Sequence, residues 1–307
     1  MERLRIGLIG WGTVGAALGQ LVLDGPLPLT LACVAVRDAD RARERGLPKK
    51  VPAGSVDDVL GQDVVVELAG GLEGPREWAR AALDRGTPYV TANKALLANH
   101  GRELAQIADR RVAALLGSAS VGGGTPMIET TQHLAATGDI ERVRGIVNAT
   151  TTFILSAMAE GRTYEAALRA AQEAGYAEAD PTFDVGGRDA AQKLAILASV
   201  AWGTWRPEQD VDTTGIVETT VAAGETIRLV AEATPGSLTV SPQQIDPSDP
   251  LARAAGIENI LEVTVRDAGV FRLSGPGAGG RVTAGAVYAD LARLATGERP
   301  VLFGAPH

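Results

Sequence analysis

Thiols, imidazoles and aromatic rings are all scarce in this chain of 307 residues. Its one cysteine, Cys33, cannot form a disulfide within the chain, which fits a reducing cytoplasm. Cys33 also falls inside a predicted apolar strand, so thioester chemistry lacks a plausible nucleophile. There are three histidines, His100, His133 and His307. His100 reads as a surface residue, His133 as a satisfied residue of an Ala-rich helix, and His307 is the last residue. The usual imidazole proton donor of dehydrogenases is therefore hard to find. Aromatic residues make up 4%, so the core is expected to be Ala, Val, Leu and Ile with close helix–sheet contacts. No apolar run reaches the length of a membrane span, and Met1-Glu2-Arg3-Leu4-Arg5 enters a strand with no signal-peptide pattern. The net charge of −8 argues against nucleic acid as a partner.

What is present is a regular alternation. Apolar strands are predicted at 4–10, 29–36, 63–68, 88–91 and 112–116, with helices at about 13–23, 76–84 and 101–111. That order gives a parallel, doubly wound sheet. After about residue 128 the rhythm changes. Helices are expected at 128–137, 153–160, 164–174 and 187–202, with strands at 143–150, 225–232, 236–241, 261–266 and 269–274. The last helix is expected at 283–295. The fold class is thus α/β, a Rossmann-type sheet plus a mixed α+β catalytic and dimerisation domain. The boundaries are a dinucleotide-binding domain at 1–128, a substrate and dimerisation domain at 129–280, and a C-terminal helix at 281–307 returning to the first.

Gly10-Trp11-Gly12-Thr13-Val14-Gly15 is G-x-G-x-x-G, placed between a strand and a helix. Gly10 permits the tight turn, Gly12 lets backbone approach a pyrophosphate, and Gly15 lets helix and strand touch. The amides at the helix start face the phosphate charge. A glycine turn needed only for packing is the bland alternative. At the end of the second strand, Arg37 is the first charged residue, which favours the 2′-phosphate of NADP. The adjacent Asp38 could instead accept from the hydroxyl of NAD. Lys49 and Lys50 read equally as a phosphate pocket or as a solvated loop pair.

A second concentration of charge runs from Gly175 to Lys193, with Glu178, Asp180, Asp184 and Asp189 ahead of one lysine. Drawn at 100° per residue, the helix places Arg188, Gln192 and Ser199 toward water and Lys193 nearly opposite. Asp189, Ile196, Leu197 and Val200 surround Lys193. An i,i+4 Asp–Lys pair is ordinarily a surface salt bridge. In apolar company it is a paired, partly buried amine suited to proton transfer. Glu178, Asp180 and Asp184 would attract an ammonium group or a metal. The absence of an EF-hand pattern and of histidine favours the ammonium. The alternative is a polar loop with a helix cap.

The chain resembles the homoserine dehydrogenases over nearly its whole length. The resemblance rests on 7–15, Glu67-Leu68-Ala69-Gly70-Gly71, Thr91-Ala92-Asn93-Lys94-Ala95-Leu96-Leu97-Ala98 and 119–126. It continues through Gly145-Ile146-Val147-Asn148-Ala149-Thr150-Thr151, 175–193, and Gly275-Pro276-Gly277-Ala278-Gly279 with Thr283-Ala284. It implies NAD(P)H-dependent reduction of L-aspartate 4-semialdehyde to L-homoserine, toward threonine and methionine. Lys193 with Asp189 would handle the proton, and Lys94 would be a second catalytic lysine. Tyr176, Glu178, Asp184 and Thr150 would position the amino acid. Gly10, Gly12, Thr13, Val14, Gly15, Arg37, Gly70, Thr91, Asn93 and Gly277 would meet the cofactor. Backbone carbonyls of Ser118, Val121, Gly123 and Thr125 would hold a monovalent cation, Na+ or K+. A homodimer is implied by analogy. Three positions depart from the family pattern: Ser118 where Glu is usual, Ala149 where Gly is usual, and Thr152 where Asn is usual. No regulatory extension is expected after Ala295, nor a kinase domain before Met1. The alternatives are another Rossmann-type amino-acid dehydrogenase, or a non-enzymatic nucleotide sensor.

Overall fold

The computed structural model describes residues 3–303, so His307 lies outside the described residues. The chain forms two compact units, one of residues 3–126 with 279–303 and one of residues 127–278.

The first unit begins with six strands: β1 (Leu4–Ile9), β2 (Leu29–Ala35), β3 (Ala53–Gly54), β4 (Val64–Glu67), β5 (Tyr89–Thr91) and β6 (Leu115–Leu116). They form one parallel sheet in the order 3-2-1-4-5-6. The helices between them are α1 (Thr13–Asp24), α2 (Ala39–Glu44), α3 (Val56–Leu60), α4 (Glu73–Asp84) and α5 (Lys94–Arg111). Val64, Val65 and Val66 are fully buried, as are Ile6 and Leu8, which is what a sheet covered on both faces requires. Strand order reverses between β1 and β4, and in such sheets ligands bind at the carboxyl ends of strands near that reversal.

The second unit holds β7 (Ile140–Ile146), β8 (Asp212–Thr213), β9 (Ile227–Thr234), β10 (Ser237–Gln244), β11 (Glu258–Val265) and β12 (Gly269–Pro276). The sheet order is 12-11-7-9-10-8, antiparallel except for the β8–β10 pair. Its helices are α6 (Met127–Thr137), α7 (Ala149–Ala159), α8 (Tyr164–Glu173), α9 (Thr182–Val185) and α10 (Arg188–Trp202). Helices α7 and α10 pack on β9, and α6 packs on α10. A last helix, α11 (Gly280–Ala295), belongs to the first unit and lies along α1.

Some predicted elements shift. Residues 147–150 are not strand: Asn148 caps α7, so the helix begins at Ala149 rather than at 153. Helix α5 begins at Lys94 rather than at 101, because Asn93 caps it. The short helices α2 and α3 are not resolved by apolar periodicity, since each is too brief to show a full stripe. Their start signals are Asp38 and Ser55, both side-chain caps in the structure. Gln192 and Ser199 do not face water. They are 3% and 0% exposed, because the chain after α10 folds back over them. Gln192 Nε2 donates to Glu208 Oε2 at 2.8 Å, and Arg206 N donates to Ser199 Oγ at 2.9 Å. Arg188 does remain exposed, while donating to Glu208. His100 is half-buried rather than a surface residue, with its Nε2 atom buried, and burial lowers its pKa. His133 is exposed. Cys33 is core, as expected, and burial raises its pKa.

The glycine at position 15 is enforced by contact. A Cβ there would lie 2.3 Å from the carbonyl oxygen of Gly10, which is backbone and cannot swing away. Gly15→Ala is therefore expected to destabilise the first unit by about 1–3 kcal/mol through overpacking. A thermal melt of the purified variant indistinguishable from wild type would contradict this.

Candidate active site

The first unit contributes a cleft of about 1100 Å³ at the carboxyl ends of β1, β2 and β4. It is lined by the Gly10–Gly12 turn, by Arg37, Asp38, Arg41 and Arg45, and by Leu68, Ala69, Gly70 and Gly71. Gly10 has φ of 99°, a left-handed conformation that suits glycine. Gly12 is the N-cap of α1 and makes no side-chain cap; a Cβ there would meet nothing within 4 Å. Backbone amides at a helix start, bare of side chains, are what a pyrophosphate needs. Thr13 and Val14 open that helix.

The end of β2 bears on a choice left open by sequence. Asp38 accepts from Arg41 N at 2.9 Å and caps α2, which commits its carboxylate to the helix. Arg37 is exposed on the cleft wall. Arg41 and Arg45 join it, whereas Lys49 and Lys50 are absent from the lining. Sequence reading missed the two arginines; their signal was the basic spacing Arg37, Arg41, Arg45 across a helix capped by Asp38. Trp11 Nε1 donates to Arg45 O at 3.3 Å, tying that segment to the glycine turn.

Asn93 and Gly70 stand on neighbouring turns. Asn93 Nδ2 donates to Gly71 O at 2.7 Å. Lys94 is the first residue of α5. Thr91 is 0% exposed, and its Oγ1 donates to Glu67 Oε2 at 2.7 Å. Gly277 belongs to the second unit, pressed against Asn259, whose amide a Cβ at 277 would meet at 2.3 Å.

The residues proposed for a cation lie on a buried loop of the first unit. Ser118, Val121, Gly123 and Thr125 are all buried, and Gly122 and Gly123 have φ of 80° and 60°. Ser118 N and Oγ donate to the buried Asp290 carboxylate at 3.1 and 2.5 Å. A carboxylate thus remains next to position 118 although Glu is replaced there. Among the described residues, no group of three or more His, Cys, Asp or Glu could hold a metal.

In the second unit, Lys193 Nζ lies 2.7 Å from Asp189 Oδ2 and donates to Val147 O at 2.6 Å. The two side chains are 13% and 6% exposed. Asn148 bridges the carboxylates: its Nδ2 donates to Asp189 Oδ2 at 2.8 Å and to Asp184 Oδ1 at 2.7 Å. Its Oδ1 accepts from Thr151 N at 2.8 Å, capping α7. Asn148 was quoted only as part of a motif, yet it organises the site. Asn followed by a Thr-rich apolar helix is the cap signal that could have found it. Thr150 Oγ1 donates to Tyr176 O at 2.6 Å and lies 3.3 Å from Asp184 Oδ2. Tyr176 stacks against Phe153 with centroids 4.9 Å apart.

The expected trio of carboxylates does not gather. Asp180 turns back to Thr182 N and Oγ1 at 3.1 and 2.6 Å, Glu178 is exposed, and only Asp184 enters the site. Two departures are explained locally. Ala149 opens α7 without a positive φ, so glycine is not required there. Thr152 Oγ1 donates to Asn148 O at 2.9 Å, an intrahelical bond that keeps the hydroxyl satisfied.

A doubly wound sheet with a bare glycine turn at its reversal point in one unit, and a buried lysine–aspartate pair in the other, fit the class of nicotinamide-nucleotide-dependent oxidoreductases. The family model for homoserine dehydrogenase matches residues 126–292, and that for the homoserine dehydrogenase NAD binding domain matches residues 10–116. The chain belongs to the homoserine dehydrogenase family. It is 36% identical to the homoserine dehydrogenase of Bacillus subtilis over 95% of this chain and 72% of that one. Against that of Corynebacterium glutamicum it is 39% identical over 93% of this chain and 70% of that one. Among solved structures, the Thiobacillus denitrificans enzyme superposes with a TM-score of 0.90 at 34% identity, covering 100% of this chain and 78% of that one. A hyperthermophilic archaeal homoserine dehydrogenase in complex with NADPH superposes with a TM-score of 0.88 at 29% identity, covering 98% and 99%. No helix among the described residues is long and apolar enough to cross a membrane.

Burial holds the Asp184 carboxyl above the usual carboxylate range, and the Asp189 charge adds to this against the lowering by Asn148, Lys193 and Thr150. A raised carboxyl contributes its stability below its unfolded value near about 4 and loses it as pH rises through the folded value. Asp184→Asn cannot ionise. Its melting temperature is therefore expected to gain on that of wild type between about pH 4 and pH 7; a constant difference would show that Asp184 is unperturbed.

Proposed function

We propose that this enzyme reduces L-aspartate 4-semialdehyde to L-homoserine with NADPH as the preferred donor, NADH serving less well, in the supply of threonine and methionine. One observation carries the lysine role. An ammonium has three N–H donors, and among the described residues Lys193 spends two, on Asp189 and Val147. The third is left for a substrate oxygen. A bound nicotinamide supplies the hydride. Lys193 gives its proton to the oxygen that gains charge as the aldehyde carbon is reduced. Asp189 holds the ammonium in place and Asn148 holds Asp189. Lys94 is a second catalytic lysine, a role that membership of the family supports. Asp184, Thr150 and Tyr176 bind and orient the amino acid, the Asp184 carboxylate taking its ammonium.

Arg37 together with Arg41 and Arg45 supports preference for a 2′-phosphate, since Asp38 is committed to a cap. Backbone carbonyls of Ser118, Val121, Gly123 and Thr125 hold a monovalent cation that braces the loop. The enzyme works in the cytoplasm as a homodimer. Edge strand β12 supports the dimer: it leaves Val270 and Phe271 41% and 42% exposed beside an unpaired backbone row.

Two assays test this. Oxidation of NADPH and of NADH with aspartate semialdehyde should show turnover with both and a lower KM for NADPH. Binding of NADPH without any turnover would instead support a nucleotide sensor. Lys193→Ala should lower kcat roughly a thousandfold while sparing NADPH affinity, as loss of a general acid does; retained turnover would refute the assignment. Arg37→Ala should raise KM for NADPH roughly tenfold and leave that for NADH nearly unchanged, as loss of a charged phosphate contact does.

A further inference from the structure

We propose that Glu67 is a positioning residue that sets the cofactor-facing turns of the first unit, joining the 68–71 turn to the start of the helix that bears Lys94. The proposal rests on the dinucleotide-binding reading of that unit. Glu67 is the last residue of β4 and is 0% exposed. The three residues before it, Val64, Val65 and Val66, are also fully buried and apolar. Packing alone would be served by another valine. A carboxylate here carries a desolvation cost that only its partners can offset.

Those partners are all donors aimed at one group. Oε1 accepts from Ala69 N at 2.7 Å and from Gly70 N at 2.8 Å. Oε2 accepts from Thr91 Oγ1 at 2.7 Å. Thr91 Oγ1 in turn accepts from Asn93 N at 3.0 Å, and Asn93 Oδ1 accepts from Leu96 N at 3.0 Å as the cap of α5. Asn93 Nδ2 closes the ring by donating to Gly71 O at 2.7 Å. The 68–71 turn lines the cleft, and its Gly70 and Gly71 hold φ of 72° and 87°. Such a turn has many accessible conformations when free. Glu67 selects one by fixing two successive amides. Through Thr91 and Asn93 it fixes the first turn of α5 in the same frame, and Lys94 begins that helix. One buried carboxylate therefore decides where the cleft wall and Lys94 stand together.

A carboxylate only accepts, so an isosteric amide must turn N–H toward a donor. Glu67→Gln is expected to raise the NADPH dissociation constant roughly tenfold, the loss that follows from one charge-assisted hydrogen bond. The readout is nicotinamide fluorescence titration, with kcat falling in parallel and the apparent KM for aspartate semialdehyde moving less. Thr91→Val, which removes the hydroxyl relay, should weaken NADPH binding in the same direction, and Thr91→Ser should restore most of it. A melting temperature that falls in Glu67→Gln while NADPH affinity stays within about twofold of wild type would overturn the proposal, since fold support alone does that. If Glu67→Gln does not fold, the Thr91 pair decides: equal NADPH affinity in Thr91→Val and Thr91→Ser overturns it, and a weaker valine variant supports it. Wild-type protein that neither binds NADPH nor turns over would sink the dehydrogenase reading itself, a result distinct from any of these.

Discussion

An ammonium group kept out of water is the constraint around which the second unit is arranged. Lys193 has lost most of its hydration, and such a charge is tolerable only with a close counter-charge and good hydrogen bonds. Asp189 provides the counter-charge one helical turn earlier, and the Val147 carbonyl provides the second acceptor. Val147 can do so because β7 ends at Ile146 and the chain turns into α7 immediately after. Asn148 makes that turn by capping α7, and the same side chain holds Asp189. The strand end, the helix start and the acid are thus set by one residue, and the placement of the lysine follows from them.

The first unit solves a different problem with the opposite means. Its cleft combines bare glycine turns with the side chains of Arg37, Arg41 and Arg45. Gly12 leaves the start of α1 uncapped by any side chain, while the caps of α2, α3 and α5 are all filled by Asp38, Ser55 and Asn93. Leu72 and Gly279 likewise leave α4 and α11 without a side-chain cap. What sets the start of α1 apart is its place at the strand-order reversal, where such sheets take their ligands.

Much of this was legible from residue pattern. The apolar runs at β1, β2 and β4 and the glycine spacing after β1 gave the parallel sheet, because buried parallel strands have no other composition. Lys193 and Asp189 were found because helical geometry puts them together whatever the tertiary structure. What failed was whatever depended on distant chain. Gln192 and Ser199 lie on the polar side of α10 by angle, but the segment carrying Arg206 and Glu208 covers them, and no local pattern announces that. Asp180 and Glu178 appeared to join Asp184, yet Asp180 satisfies itself within its own turn. Asn148 and Glu67 were passed over as parts of motifs because some of their partners, Asp184 and Asp189 for one and Thr91 for the other, lie far along the sequence.

The charge balance of the second unit bears on the substrate. Asp184 and Asp189 share the amide of one asparagine, and one lysine answers them. Lys193 is paired directly with Asp189, so Asp184 is left with neutral donors, Asn148 and Thr150, and with a neighbouring negative charge. Burial then pushes its carboxyl upward. A site in that condition gains most from a ligand that brings a positive group of its own. An α-ammonium does so, whereas a plain aldehyde or a carboxylic acid without an amine would not.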